Sequence, residues 1–175
     1  MRVSTVGASS STGGSISQKK IELFGESWDG IKPKSWCENF LKNITVMYRT
    51  TRRGAVTPHT LKFHRKLEGN LQNVFNELAK DPTFYVKEIG TYSYRRVVGN
   101  PNRLSNHSYG IAIDVNPQCN PYIKNGKVTS GHNVIDKNLS MRDSSNYIVK
   151  TFAKYGFGWG GTYKDYMHFS YFDGR

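Results

Sequence analysis

The stretch Ser105-Asn106-His107-Ser108-Tyr109-Gly110-Ile111-Ala112-Ile113-Asp114, answered late in the chain by Asp165-Tyr166-Met167-His168, restricts the fold more than any other feature. Zinc in a hydrolytic site takes three nitrogen or oxygen ligands and leaves a fourth position for water. His107, Asp114 and His168 supply two imidazoles and one carboxylate, the smallest set such chemistry needs. Asp165 is then left over as the acid/base that an activated water requires. A fold that uses this set has to bring the two segments together.

The local patterning suits that role. From Gly110 onward Ile111, Ile113 and Val115 alternate with Ala112, Asp114 and Asn116, the period of a half-buried strand, so Asp114 points away from the apolar side. A carboxylate on a strand packed from behind is held rigidly enough to ligate a metal. A second alternation starts at His168. Asp165, three positions earlier, is expected on a turn that follows the glycine-rich Gly158-Trp159-Gly160-Gly161 and curls back over the metal.

These residues resemble a family. Ser-x-His-x-x-x-Gly-x-Ala-x-Asp, then Trp-Gly-Gly and Asp-x-x-His-Phe, is similar to the zinc peptidases that cleave peptidoglycan stem peptides. That group includes D-alanyl-D-alanine carboxypeptidases and dipeptidases, and the L-alanyl-D-glutamate endopeptidases of phage endolysins and bacterial cell-wall hydrolases. The resemblance runs from about Thr91 to Arg175. It implies one zinc per chain on His107, Asp114 and His168, with Asp165 as catalytic base. It also implies an arginine, upstream of the first histidine, that binds substrate or polarises the scissile carbonyl. Arg96 matches that position best, with Arg95 beside it. Ser105, Tyr109 and Trp159 complete the substrate-side candidates, Trp159 as a wall of the site and Tyr109 either reaching the cleft or packing.

The 175 residues suffice for one substantial core, and 37% hydrophobic with 13% aromatic content argues for a folded chain. Met1 to Lys20 is rich in Ser, Gly and Thr and reads as a flexible tail or linker, leaving 21–175 as a single peptidase domain. No run has the length of a membrane helix, and the N-terminus lacks the apolar centre of a secretory signal. Cytosolic synthesis of phage type with later release onto a bacterial wall, or a mature exported form, is the expectation. Two cysteines, Cys37 and Cys119, are too few for a zinc knuckle and are expected as free thiols.

The formal charge is +12, and Lys42, Arg49, Arg52, Arg53, Lys62, Arg65 and Lys66 form a run without an acidic residue between them. Such a field draws polyanions. An anionic cell wall is the expected partner, a solvated face the plain alternative, and no nucleic-acid motif supports the rival polyanion. A monomer is expected.

Caps and periods give a coarse outline. Ser35 with Glu38 reads as a capping box ahead of a helical stripe of Trp36, Phe40, Leu41, Ile44 and Met47. Thr57-Pro58 opens a second helix through Leu61, Leu67, Leu71, Val74 and Leu78, making 33–82 a helical N-terminal part. Strands are expected over 84–89 and 110–116, and a helix over 143–155 stopped by Gly156. Residues 118–138 read as a long surface loop bordering the cleft. The sum is an α+β domain: a central antiparallel sheet carrying the metal site, flanked by helices, as in Hedgehog-like and D-Ala-D-Ala peptidase folds.

Two other classes use part of this set. A non-haem iron oxygenase also takes two histidines and a carboxylate, but has no need of a base such as Asp165. A catalytically silent zinc module that binds the wall could dispense with Asp165 altogether. Within the peptidase reading, the short, basic chain without a signal favours L-Ala-D-Glu endopeptidase activity, with D-alanyl-D-alanine carboxypeptidase as the alternative.

Overall fold

The computed structural model describes residues 14–172. Helix α1 (Ile16–Phe24) opens on a capping box in which the Ser15 hydroxyl accepts from the Gln18 N–H and the Gln18 amide oxygen accepts from the Ser15 N–H. Gly25, at φ +80°, closes it. The tail expected over 1–20 is therefore shorter: 16–20 already belong to α1, and 1–13 lie outside the described residues.

Helix α2 (Lys34–Glu38) is only five residues long, and Pro33 rather than Ser35 stands at its N-cap. The helix expected to run on to Met47 is replaced by strand β1 (Leu41–Tyr48), which pairs antiparallel with β2 (Thr57–His64) from Leu41↔His64 to Tyr48↔Thr57. Ile44, Val46 and Tyr48 are buried in alternation. The second expected helix also starts late: a 3-10 turn, Arg65–Leu67, leads into α3 (Glu68–Leu78). Leu71, Val74, Phe75 and Leu78 are buried along one helical face, which packs on β1. The first half is thus helix, hairpin and helix, not a helical unit.

The second half holds short strands. They are β3 (Ile89–Gly90), β4 (Arg96–Val97), β5 (Asn100–Leu104), β6 (Ala112–Val115), β7 (Tyr122–Lys124) and β8 (Lys127–Ser130). Helix α4 (Tyr147–Lys154), β9 (Gly158–Trp159) and β10 (His168–Ser170) follow. The strand expected over 84–89 shrinks to its end, because the Val86 N–H is taken by the Arg49 carbonyl and the Phe84 N–H by Asp81. The expected helix over 143–155 starts instead at the Asn146 cap, whose side chain accepts from the Ile148 N–H. Within 118–138 a hairpin, β7 to β8, turns at Asn125-Gly126, both with positive φ, the combination a type I′ turn requires.

The α+β expectation holds at this level. The central sheet has the order β3-β6-β10-β9 with every pair antiparallel. Ile113 faces Phe169 across β6 and β10, both fully buried, and Phe169 stacks on Phe152 of α4 at 3.8 Å. Burying each such side chain contributes roughly 1.5–3 kcal/mol. That packed back face leaves the front of the sheet to carry polar groups.

Candidate metal centre and cleft

Asp114 and His168, one step along from that apolar pair, are themselves cross-strand partners and leave the sheet on its front face. His107 comes from a 3-10 turn, Asn106–Tyr109, whose Ser105 cap accepts from the His107 N–H. Gly110, at φ +65°, then swings the chain into β6. A Cβ here would collide with the Leu41 side chain and stand 3.2 Å from the His64 nitrogen. The Gly110 carbonyl accepts the His64 N–H at 2.8 Å, so the site's turn rests on the β1–β2 hairpin.

Three donors converge. His107 Nδ1 faces the Thr91 carbonyl at 2.5 Å, an acceptor only, so Nδ1 carries the proton and Nε2 is the free donor. That Nε2 lies 3.2 Å from Asp114 Oδ2 and 3.2 Å from His168 Nδ1, while His168 Nδ1 lies 3.1 Å from Asp114 Oδ1. Ligands bonded at ~2.0–2.1 Å to a tetrahedral ion stand roughly 3.3 Å apart, so the set fits zinc in both chemistry and spacing. His107 and His168 are buried, each with 3% exposure. Burial alone would lower the His107 pKa, but the Asp114 charge and hydrogen bond outweigh it and hold it above its ordinary value. Burial works against the Asp114 carboxylate too, and the two histidines more than reverse that, keeping it well below the usual carboxylate range. The negative charge that a cation needs is therefore already in place.

A cavity of about 340 Å³ opens over this cluster, lined by Arg95, Val97, Val98, Ser105, Asp114, Tyr122, Ser130, Asp165, Met167 and His168. Asp165 stands on a turn, bridged to Tyr122, and does not join the three-residue donor group. A second cavity of about 300 Å³ continues past Asp114, sharing Asp114, Ser130 and Met167 with the first. The two cavities therefore adjoin at Asp114, one of the three clustered donors.

The substrate-side candidates separate. Arg95 lines the cavity, and its backbone is pinned by Ser105 and the buried Ser108: its N–H donates to Ser108 Oγ, and its carbonyl accepts from the Ser108 hydroxyl and the Ser105 N–H. Arg96, the position preferred from sequence, pairs with Leu104 in the β4–β5 hairpin and is not among the lining residues. Ser105 lines the cavity. Tyr109 does not, since it packs in an aromatic cluster with Phe24 and Trp28 and accepts from the Trp28 indole. Trp159 also lies off the cleft, its indole donating to the Tyr166 carbonyl at 2.9 Å. Its neighbouring glycines serve the chain itself. A Cβ on Gly160 would meet the Asp165 carbonyl at 2.6 Å and one on Gly161 would strike the Trp159 ring, so they admit the protein's own backbone and indole instead of a substrate.

Sequence reasoning missed Val97, Val98, Tyr122, Ser130 and Met167. The Asn125-Gly126 turn signal was the available pointer to Tyr122 and Ser130, which sit on the arms of its hairpin.

The basic run is largely committed within the fold. Lys42 pairs with Glu68 at 2.8 Å, Arg49 donates to the Gly54, Ala79 and Asp81 carbonyls, Lys66 donates to the Glu22 carbonyl, and Lys62 lies 3.8 Å from Glu38. Cys37 and Cys119 are buried free thiols. Among the described residues no helix is long and apolar enough to cross a membrane.

Residues 99–171 match the model of a peptidase family described as D-alanyl-D-alanine carboxypeptidase. The resemblance read from the sequence is borne out over that stretch, which holds His107, Asp114, Asp165 and His168 and leaves Arg95 and Arg96 outside. No curated protein and no solved structure matches the chain.

Proposed function

We propose that this chain is a zinc peptidase of Hedgehog and D-Ala-D-Ala peptidase type that hydrolyses peptidoglycan stem peptides at the bacterial wall, cutting between L-Ala and D-Glu; the match of residues 99–171 to a D-alanyl-D-alanine carboxypeptidase model supports the reading. The observation that carries the reading is the buried triangle of His107, Asp114 and His168 donors with Asp165 on the same cavity but outside the donor group. A zinc ion held there would supply Lewis acidity and an activated water.

The chain's own residues do the rest. Asp165 takes the proton from the attacking water and returns it to the leaving amine, a role worth roughly 100- to 10,000-fold. Arg95, with its backbone pinned and its guanidinium on the cavity wall, stabilises the charge that develops on the scissile carbonyl oxygen. Thr91 fixes the His107 tautomer through its carbonyl. Two cavities that meet at Asp114 leave more room around it than a single terminal residue needs, which favours the endopeptidase. The carboxypeptidase is favoured by one feature, the Arg95 guanidinium, which suits a terminal carboxylate.

Mass spectrometry of muropeptides digested by the zinc-loaded chain tests this. New amino termini on D-glutamate are expected. Release of terminal D-alanine alone would replace the endopeptidase with the carboxypeptidase. Muropeptides left intact, with the wall still bound, would identify a silent module.

A further inference from the structure

Thr91 carries the carbonyl that fixes the His107 tautomer, yet residues 91–95, between β3 and β4, belong to no strand. A carbonyl on an irregular connection is held in place by what its neighbours grip. Ser93 takes part of that load. Its N–H donates to the His107 carbonyl at 3.3 Å, so residues 91 and 93 meet His107 at its ring and at its backbone. Tyr92 stands between them and reaches α2, where its hydroxyl donates to Glu38 Oε1 at 2.9 Å.

That anchor is reinforced from α2 and from β2. Lys34 and Lys62 each place an ammonium 3.8 Å from Glu38 Oε1, and the Lys62 ammonium lies 4.8 Å from the centre of the Tyr92 ring. Burial, and then the bond to the Glu38 carboxylate, push the Tyr92 pKa up, so the phenol keeps the proton it donates. A hydrogen bond to an ionised acceptor is roughly twice as strong as one between neutral groups. Tyr94, next to Arg95, makes a separate bond, its hydroxyl donating to the Lys32 carbonyl at 2.9 Å.

We propose that Tyr92 is a positioning residue for the metal centre: bonded to Glu38, it holds the Thr91 carbonyl against His107 Nδ1 and so keeps Nε2 turned to Asp114 and His168. The assignment rests on the metal reading above and adds a residue that acts through Thr91. A partner that orients a ligating histidine changes metal affinity by roughly 10- to 100-fold. Tyr92 stands one residue further out, which places it at the lower end.

Zinc affinity of the full chain, measured by competition with a chromophoric chelator, tests this without a rate assay. Tyr92→Phe keeps the ring beside Lys62 and removes the hydroxyl, and should bind zinc about 10-fold more weakly than the parent. Glu38→Ala should also weaken binding, and the double variant should be no weaker than Glu38→Ala, because both changes break one bond. Tyr94→Phe removes a bond of similar length from the same connection and should bind zinc as the parent does, which separates an effect on His107 from general loosening. With cobalt(II) in place of zinc, the visible absorption should change in Tyr92→Phe and stay the same in Tyr94→Phe. Parent affinity or a parent spectrum in Tyr92→Phe, an equal loss in Tyr94→Phe, or additive losses in the double variant would each overturn the assignment alone. A parent chain that binds no zinc would overturn the metal reading and the assignment with it.

Discussion

Asp114 sits directly opposite His168 in antiparallel register, and the pair next to them, Ile113 and Phe169, faces the opposite way into the core. One strand register therefore sets both the hydrophobic core and the donor cluster. A slip of one residue would send Asp114 into the apolar layer and Ile113 into the cleft, so the packing against α4 guards the chemistry on the other face.

The first prediction separates donors from the proton carrier. His107→Ala and His168→Ala should each lose most of the zinc, and stability should fall with it, because an ion bound only by the folded state adds free energy to folding. Asp165→Asn should keep zinc and fold while hydrolysis drops roughly 100-fold or more. Elemental analysis beside a rate assay makes the comparison. If Asp165→Asn loses zinc as fully as His168→Ala, the two aspartates exchange roles.

The second concerns the adjacent arginines. Arg95→Ala should lower kcat/KM by roughly 100-fold, the scale of one lost donor at a developing oxyanion, whereas Arg96→Ala should stay near the parent rate. The opposite ranking would return the role to Arg96.

The third is an acid sensitivity distant from the cleft. His64 is fully buried between the rings of Phe24 and Phe40, with Nδ1 accepting the Lys66 N–H. Burial, and then the charges of Lys66 and Arg65, push its pKa down from 6.5 to about 4. A group whose folded pKa is depressed in this way is held neutral by the fold, so its contribution is complete above pH 6.5 and is lost as pH falls towards 4. The loss amounts to about 3 kcal/mol. Thermal melts at pH 7 and pH 4.5 should show a smaller acid-induced drop for His64→Gln than for the parent. An identical drop in both would remove His64 from the account.

How much of this the sequence revealed follows from what each part needs. A donor set demands a few residue types that no packing argument can replace, so His107, Asp114, His168 and Asp165 stood out without a fold. The segment 35–47 carries apolar residues that satisfy a helical period through Trp36, Phe40, Ile44 and Met47 and a strand period through Ile44, Val46 and Tyr48. The ambiguity is resolved only by a partner, β2, whose pairing takes the backbone hydrogen bonds that a helix would have used. The same holds for Thr57 to Leu61, read as helix and folded as strand. Arg95 and Arg96 are neighbours of the same type, and only the start of β4 at Arg96 separates the one that lines the cavity from the one that does not. The second cavity beside Asp114 was invisible for a different reason: Glu88, Gly90, Pro117 and Gly131 are far apart in sequence and form a wall only once the sheet is assembled.

Gly110 gives the molecule a dependence between its halves. The turn that aims His107 and starts the strand of Asp114 lies against Leu41 and hands its carbonyl to His64, both on a hairpin that supplies no donor and lies outside the stretch matched to the peptidase family. The two parts cannot be traded like cassettes. A graft of residues 99–171 onto another scaffold would carry every candidate metal donor and still arrive without its foundation, the turn free to swing and the donors free to drift apart. Variation in that hairpin, far from any reacting atom, is a means of tuning the metal site without altering a single ligand.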